Sequence, residues 1–571
     1  MRTVNGNVCM NREAAPQKIA KSLLFAVSTL AMAQAIAQIA PNAGSILQQI
    51  TPAQPATPSS AGVELRLRPE GEAALPASAP FEVQAIRISG HTQFETAQLH
   101  ALVAEGEGRR LTLAQVSELV ARITEHYRRH GYPLARAIIP AQTIEKGVVR
   151  IEVIEAHFGA ITLRNGSHVA DPLPQATLAS LQNGQLIEQA SLDRTLLLLS
   201  DIPGVTIDAT LKPGSAVGSA DLQVELQPGP VITGHASLDN NGNRYTGRAR
   251  LGATVQVNNP MGWGDVLSLG ALTSGGGLNH GRIGYEALLN GEGTRLGGAY
   301  SALRYRLGDT LAPLNARGSA RITSVWAKHP LVRRRDLNFF GLLQFDQLRL
   351  SDAVEAAGIS NDRHLNNWSI GLSGDTRDGI LEGGVNVWSL GWTHGRVGFD
   401  DTIARTSDAV TARTAGRFSK WQATLSRLQG LDRDNSLYLS LSGQWAGKNL
   451  DSSQKMSLGG PYSVRAYDIG AVSGDSGFQA SAEWRRAFGG AGVGQWQGVI
   501  FIDRAAVTVN RTPWSVGANR AVLSGAGVGL HWIGPRRVHA KAHVATPVGS
   551  TPALTGTPGS VRAWVEIGAR F

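Results

Sequence analysis

The chain contains 571 residues, with 54 Lys and Arg against 44 Asp and Glu, and its formal net charge is +10. Only 17% of the residues are charged and 67 are glycine, whereas a typical soluble domain has about 25% charged residues and about 7% glycine. Because 42% of the chain is hydrophobic, global disorder is excluded, and the composition favours many strands and turns over a helical enzyme. The single cysteine, Cys9, excludes an internal disulfide and a zinc site built from cysteines.

Residues 1–37 have the pattern of a secretory signal peptide. Lys and Arg residues precede an apolar run at 22–33, and the small residues at 33–37 suit a cleavage site. The apolar run is shorter than the roughly 20 residues that a membrane-spanning helix needs. No longer apolar stretch follows Ala37, so a membrane-embedded mature chain would have to be a closed β-barrel.

Residues 38–80 are predicted to form an N-terminal segment and a linker that is rich in Pro and Ala. A short strand at Val63–Leu67 is the alternative within the linker. A compact α+β module follows at 81–156. A strand is predicted at Phe81–Ser89, and Thr112 is predicted to open an amphipathic helix through a capping box.

Residues 157–230 repeat this arrangement. A strand again precedes a polar turn, Ser191 is predicted to cap a helix, and two further strands close the unit. An internal repeat of this size indicates tandem modules.

From residue 231 onwards the character of the sequence changes. All 12 tryptophans lie between Trp263 and Trp564, and girdles of aromatic residues are typical of membrane β-barrels. The last segment alternates apolar residues with Arg, Trp and Glu from Val561 to Phe571, which suits one lipid-facing and one water-facing side. The pattern predicts about 16 strands, interrupted by one long strand-poor stretch at 447–476.

Three short motifs resemble those of one family. They are Gly147-Val-Val-Arg-Ile-Glu152, Asn259-Pro-Met-Gly-Trp-Gly-Asp265 and, in the strand-poor stretch, Val464-Arg-Ala-Tyr467. With these motifs the chain resembles the outer-membrane transporters of two-partner secretion, the hemolysin secretion/activation family.

The resemblance implies an architecture and a location. Two POTRA domains, at 81–156 and 157–230, would lie in the periplasm of a Gram-negative bacterium. A transmembrane antiparallel β-barrel of about 16 strands would follow at 231–571. Some relatives plug the pore with an N-terminal helix. Only Gln38–Ile50 is available for such a helix here, and Pro41 interrupts it, so the presence of a plug is left open.

The resemblance also implies a conformational loop that folds into the barrel, where Arg465 would pair with Asp503. The loop motif comprises Val464, Arg465, Ala466 and Tyr467, and the barrel-wall motif comprises Phe501 and Asp503. Further family positions are Gly459, Gly460, Gly474, Asp475 and Glu483, and Phe571 would be the barrel assembly signal. Ala466 and Ala505 stand where the family usually has glycine, and a Cβ atom restricts the backbone there.

The implied function is export of one large unfolded secreted partner (an adhesin, hemolysin or contact toxin) through the pore without ATP. The alternatives are an assembly factor for other barrels and a general porin. Outer-membrane lipid, the barrel assembly machinery and periplasmic chaperones are the other expected partners. We expect no nucleic acid, no catalytic residues, no cofactor and no metal.

Overall fold

The computed structural model of the protein describes residues 40–50, 65–67, 78–489, 494–555 and 559–571. The predicted signal peptide lies outside these residues, as does most of the predicted linker. Two pieces of the N-terminal segment are described: helix α1 (Ala43–Ile50) and strand β1 (Leu65–Leu67).

The first module is an α+β unit. Its elements are β2 (Phe81–Val83), β3 (Ala85–Ser89), α2 (Thr96–Ala101), β4 (Arg109–Leu111), α3 (Leu113–Arg129), β5 (Arg136–Ile138) and β6 (Val148–Ile154). The predicted capping box of Thr112 and Gln115 opens α3. The predicted single strand is divided at Gln84, whose N–H donates to the carbonyl of Gly147 at 2.7 Å. This break lets β2 pair with β4 while β3 pairs with β6.

The second module has the same character. Its elements are β7 (His157–Asn165), α4 (Pro172–Leu178), α5 (Gln189–Ser200), β8 (Val205–Pro213) and β9 (Ser219–Pro228). β1 adds to the sheet as a parallel strand along β8. The prediction that Ser191 caps the helix is wrong, because α5 begins two residues earlier and the Ser191 hydroxyl donates to the Glu188 carbonyl inside its first turn.

Sixteen strands close into an antiparallel barrel, which confirms the predicted fold class. The wall strands are β10 (Ile232–Asp239), β11 (Arg250–Asn258), β12 (Val266–Thr273), β13 (Leu278–Leu288), β14 (Arg295–Arg306), β15 (Ala316–Arg333), β16 (Leu337–Val354), β17 (Ile359–Asp378), β18 (Gly384–Phe399), β19 (Gly416–Gly430) and β20 (Asn435–Ala446), and, after the short strands β21 (Met456–Leu458) and β22 (Val472–Gly474), β23 (Ser476–Phe488), β24 (Gln495–Thr508), β25 (Arg520–Ile533), β26 (Val538–Pro547) and β27 (Arg562–Arg570). The first wall strand pairs with the last, and α6 (Thr402–Val410) lies between β18 and β19. None of the helices in the described ranges is long and apolar enough to cross a membrane.

The second module is fixed to one end of the barrel. Asp201 accepts two hydrogen bonds from Arg333, each of 2.8 Å, and the Arg333 side chain is fully buried. Asp193 accepts another from Arg335 at 2.7 Å. The turns at this end therefore face the modules, and the longer connections lie at the opposite end.

Helix α1 lies inside the barrel rather than beside it. Ala43, Ile46 and Leu47 are buried in one hydrophobic cluster with inward-facing wall residues such as Leu348 and Phe418. The question left open by the sequence is therefore answered: a helix does occupy the lumen.

Candidate functional site

The long connection between β20 and β23, residues 447–475, folds back into the barrel. It is less strand-poor than predicted, because β21 and β22 pair as an antiparallel hairpin. Gly459 and Gly460 follow β21 with φ of +94° and +98°, a conformation that residues with a Cβ atom rarely adopt. The N–H of Gly460 donates to the carbonyl of Tyr467 at 3.1 Å, so the two glycines close the turn that presents Arg465.

Arg465 binds the barrel wall through its whole guanidinium group. Its Nε and Nη2 atoms donate to the two oxygens of Asp503 at 2.9 and 2.7 Å, which is a bidentate pair. Its Nη1 atom donates to Glu483 at 2.7 Å, and Nη2 also donates to Ser481 at 3.0 Å. The side chain of Asp503 is fully buried and that of Arg465 is 5% exposed. The structure thus brings together the two residues that the motif pairs.

The surroundings of Arg465 fix its position further. Its guanidinium carbon lies 3.4 Å from the centroid of the Phe501 ring. Its backbone carbonyl accepts a hydrogen bond from Nε1 of Trp564 on β27, at 2.7 Å. Glu483 is shared with Arg485, at 2.6 Å, so two cations face two carboxylates. Ser481 and Trp564 were not singled out from the sequence, since only the folded barrel places them beside the loop.

Ala466, where the family usually has glycine, is accommodated by the wall. A Cβ atom on Gly525 of β25 would lie 2.5 Å from the Cβ atom of Ala466, so only glycine leaves room for this methyl group. Ala505 is fully buried in the same cluster as Val464 and Tyr467. The two departures from the family motif are therefore packed without disrupting the Arg465 contacts.

Asp475 and Gly474 lie at the base of the loop, away from Arg465. Asp475 is fully buried and accepts hydrogen bonds from the backbone of Leu450 at 3.0 Å and of Arg511 at 2.7 Å. A Cβ atom on Gly474 would meet the backbone of Thr508 at 2.4 Å. These two residues hold the ends of the loop to a neighbouring connection rather than its tip to the wall.

Asn42 caps helix α1. Pro41 precedes the helix instead of interrupting it, and Oδ1 of Asn42 accepts the N–H of Ser45 at 3.0 Å. The N–H of Ala43 donates to Asp352 on the wall strand β16 at 2.7 Å.

A buried arginine on the wall lies between this helix and the long loop. Arg363 on β17 donates to Asp352 at 2.7 Å and to Asp451 of the loop at 2.7 Å. Ser452, next in the loop, donates to Asn42 at 2.8 Å. The helix and the loop therefore share one anchor on the wall.

Polar side chains line the lumen below the loop. A cavity of about 720 Å³ is bordered by residues including His531, His543, Lys541 and Arg465. On β27, Glu566 faces this cavity whereas Ile567 is 51% exposed on the outer face. Among the described residues, no group of three or more His, Cys, Asp or Glu side chains could hold a metal ion.

Phe571 closes the seam between the first and last strands. Its N–H donates to the carbonyl of Gly234 at 3.1 Å, and the N–H of Gly234 donates back at 2.9 Å. The ring packs over the same glycine, where a Cβ atom would lie 2.4 Å from it.

Glu155 organises the end of the first module. It accepts hydrogen bonds from the backbone of Thr92 at 2.8 Å and of Gln93 at 3.0 Å, and from the Tyr127 hydroxyl at 2.7 Å. Burial alone would raise the pKa of Glu155, but the hydrogen bonds from Thr92, Tyr127 and Gln93 outweigh it and hold this pKa below its ordinary value. Burial and the adjacent carboxylate raise the pKa of Tyr127.

The comparisons with known proteins agree with this geometry. The family model of the haemolysin secretion/activation protein ShlB/FhaC/HecB matches residues 218–532, and the model of the ShlB-type POTRA domain matches residues 81–156. The heme/hemopexin transporter protein HuxB of Haemophilus influenzae (strain 86-028NP) is 30% identical over 392 residues, which cover 68% of this chain and 69% of that protein. The outer membrane transporter CdiB of Escherichia coli is 25% identical over 432 residues, 72% of this chain and 70% of that protein. The solved structure of CdiB from Escherichia coli has the same fold, with a TM-score of 0.67 at 21% identity over 88% of this chain and 93% of that one.

The fold and the site define an outer-membrane β-barrel with POTRA domains on its periplasmic side and an occluded lumen. The chain belongs to the ShlB/FhaC/HecB haemolysin secretion/activation family, whose members are transporters of two-partner secretion rather than enzymes. The family assignment, the fold class and the outer-membrane location that were predicted from the sequence are confirmed.

Proposed function

We propose that the protein captures one large secreted partner in an unfolded state at its POTRA domains and exports it through the barrel without ATP. The proposed division of the chain is a signal peptide at 1–37, a linker segment at 38–80, POTRA domains at 81–156 and 157–230, and the barrel at 231–571. The partner class is an adhesin, hemolysin or contact toxin. The barrel assembly machinery and periplasmic chaperones are proposed to act only in bringing the protein to its membrane.

One observation carries the proposal: the lumen is filled by two parts of the chain that do not belong to the barrel wall. Helix α1 and the long loop are held by side-chain contacts to the wall, at Arg363 and Arg465, and not by the strand ladder. A barrel of 16 strands is wide enough for an aqueous channel once such segments leave. A closure of this kind suits the passage of a chain that arrives on demand better than steady diffusion of small solutes.

Strand addition is the proposed means of capture. β1, an extended piece of the linker, already adds to the second POTRA sheet through backbone pairing with β8. Backbone pairing tolerates many sequences, so an unfolded partner is a suitable ligand for such an edge. We propose that folding of the partner outside the cell drives its export.

The test is co-expression with the large exoprotein encoded beside the transporter. We expect this exoprotein in the medium only when the transporter is present, while other outer-membrane proteins keep their normal amounts. An exoprotein that stays in the periplasm although the barrel is inserted would refute export. A general loss of other barrels on depletion of the transporter would indicate an assembly factor instead.

A further inference from the structure

The outer face of the barrel carries a concentration of arginines near the end remote from the POTRA domains. They lie on β14, β15, β16, β18 and β19, and all are exposed: Arg306, Arg317, Arg321, Arg349, Arg396 and Arg417. On its strand, each arginine has at least one immediate neighbour that is buried inside the barrel. Leu348 and Leu350, for example, flank Arg349 and pack in the cluster around α1. Since successive side chains on a strand point to opposite faces, the arginines point away from the lumen.

These arginines stand opposite one another across the strands. The register pairs Arg306 with Arg317, Arg321 with Arg349, and Arg396 with Arg417. Like charges directly opposite each other destabilise a sheet unless an anion lies between them. Arg317 has a carboxylate partner.

The carboxylate partner of Arg317 is Glu355. Within the described ranges, no ion pair with a carboxylate is formed by the two central pairs, Arg321 with Arg349 and Arg396 with Arg417. The two central pairs are therefore opposed cations that lack an anion from the described part of the chain.

Along the barrel axis, the arginines lie at the level that the lipid headgroups occupy. Phe345 lies four residues from Arg349 on β16, and Trp421 lies four residues from Arg417 on β19. Both aromatic residues are on the outer face and closer to the middle of the barrel than the arginines. Trp421 is 44% exposed, and its ring lies 6.3 Å from that of Trp392, as expected of an interfacial girdle. Four residues at about 3.3 Å each, on a strand tilted by about 40°, place the arginines roughly 10 Å beyond this girdle.

We propose that this arginine face binds the phosphate groups of lipopolysaccharide in the outer leaflet. A phosphate between two opposed guanidinium groups accepts a pair of hydrogen bonds from each and removes their repulsion. The barrel end opposite the periplasmic POTRA domains faces the outer leaflet, where phosphorylated glycolipid is the abundant anion. The face would hold the barrel at one orientation and depth while the lumen rearranges.

The test uses the full-length protein, purified and reconstituted in nanodiscs, with bis-phosphorylated lipid A as the probe. The variant Arg321→Gln/Arg349→Gln removes one central pair. The control Arg433→Gln/Arg486→Gln removes two exposed arginines at the periplasmic end, with the same change of charge. Heat-modifiable migration in gels verifies that each barrel is folded.

We expect the affinity for lipid A to fall at least about tenfold in the first variant, since charge-assisted hydrogen bonds to phosphate are lost. The control should stay within about twofold of the wild type, because its arginines lie far from the outer leaflet. The proposal is overturned if both variants bind lipid A equally well. It is also overturned if dephosphorylated lipid A or phosphatidylglycerol binds the wild type as tightly as bis-phosphorylated lipid A.

Discussion

Removal of the Arg465 side chain is the perturbation with the best-defined consequence. In Arg465→Ala, Asp503 retains a hydrogen bond from Ser481 at 2.8 Å and Glu483 retains Arg485 at 2.6 Å, but the bidentate partner of a fully buried carboxylate is gone. Loss of one partner of a buried ion pair costs about 3–5 kcal/mol. Such a loss shifts the balance between docked and released loop by roughly two to four orders of magnitude.

The effect should be confined to the loop, because the strand ladder of the wall does not involve the Arg465 side chain. We expect the barrel of Arg465→Ala to assemble normally. Amide hydrogen exchange of residues 447–475 should become markedly faster, and export of the partner should fall. Hydrogen exchange measured by mass spectrometry and the amount of partner in the medium are the two readouts.

Arg248→Ala is the matched control. Arg248 binds Asp468 of the same loop at 3.0 Å, but its side chain is 43% exposed, and Asp468 keeps Arg562 at 2.9 Å. Exposed pairs of this kind contribute about 0–1 kcal/mol, so this variant should exchange and export like the wild type. Unchanged exchange in Arg465→Ala, or an equal change in Arg248→Ala, would refute the reasoning.

Three other variants test the packing of the loop tip, the anchor of α1 and the buried carboxylate of the first module. Gly525→Ala should displace the loop tip at a cost of about 1–3 kcal/mol through overpacking against Ala466, and adding Ala466→Gly should restore both loop protection and export; failure of the rescue would contradict the packing argument. Arg363→Met should release α1 and raise the single-channel conductance in planar bilayers, whereas an unchanged conductance would show that the helix does not depend on this anchor. Because the pKa of Glu155 is lower in the folded state, its contribution to stability is present above its unfolded pKa of about 4.3 and is lost as the pH falls through the folded value. Glu155→Gln should therefore reduce hydrogen-exchange protection of the first POTRA domain at pH 7 more than at pH 4, and an equal reduction at both would contradict the sign of the shift.

The barrel and the first module were predictable because their signals are local. Period-2 alternation fixes which face of β27 meets lipid, and the capping box at Thr112 fixes the start of α3, each within a few residues of chain. The pairing of Arg465 with Asp503 was reached through the family motif, since the residues are 38 positions apart and their distance depends on how a long loop folds.

The parts that escaped prediction depend on contacts between distant segments. Asn42 and Asp352 define the start of α1, yet they are more than 300 positions apart in the chain, so Pro41 looked like an interruption. The close contact between Gly525 and Ala466 can be recognised only in the folded barrel, where β25 lies next to the loop. The strand at Val63–Leu67 was only an alternative within the linker, because so few residues carry no clear pattern; β1 (Leu65–Leu67) forms there because the edge of β8 is available.

The central claim, that a partner chain passes through this barrel, is tested most directly by site-specific photocrosslinking during export. A photoreactive residue is placed at Gln479 or Lys541, which line the lumen, and in matched variants at Ile502 or Val528, which are 55% and 57% exposed on the outer face. Export is stalled with a partner that carries a stably folded domain at its trailing end. The account predicts crosslinks to the stalled partner from the two lumen positions and none from the two outer positions. Crosslinks from the outer positions alone would contradict passage through the lumen.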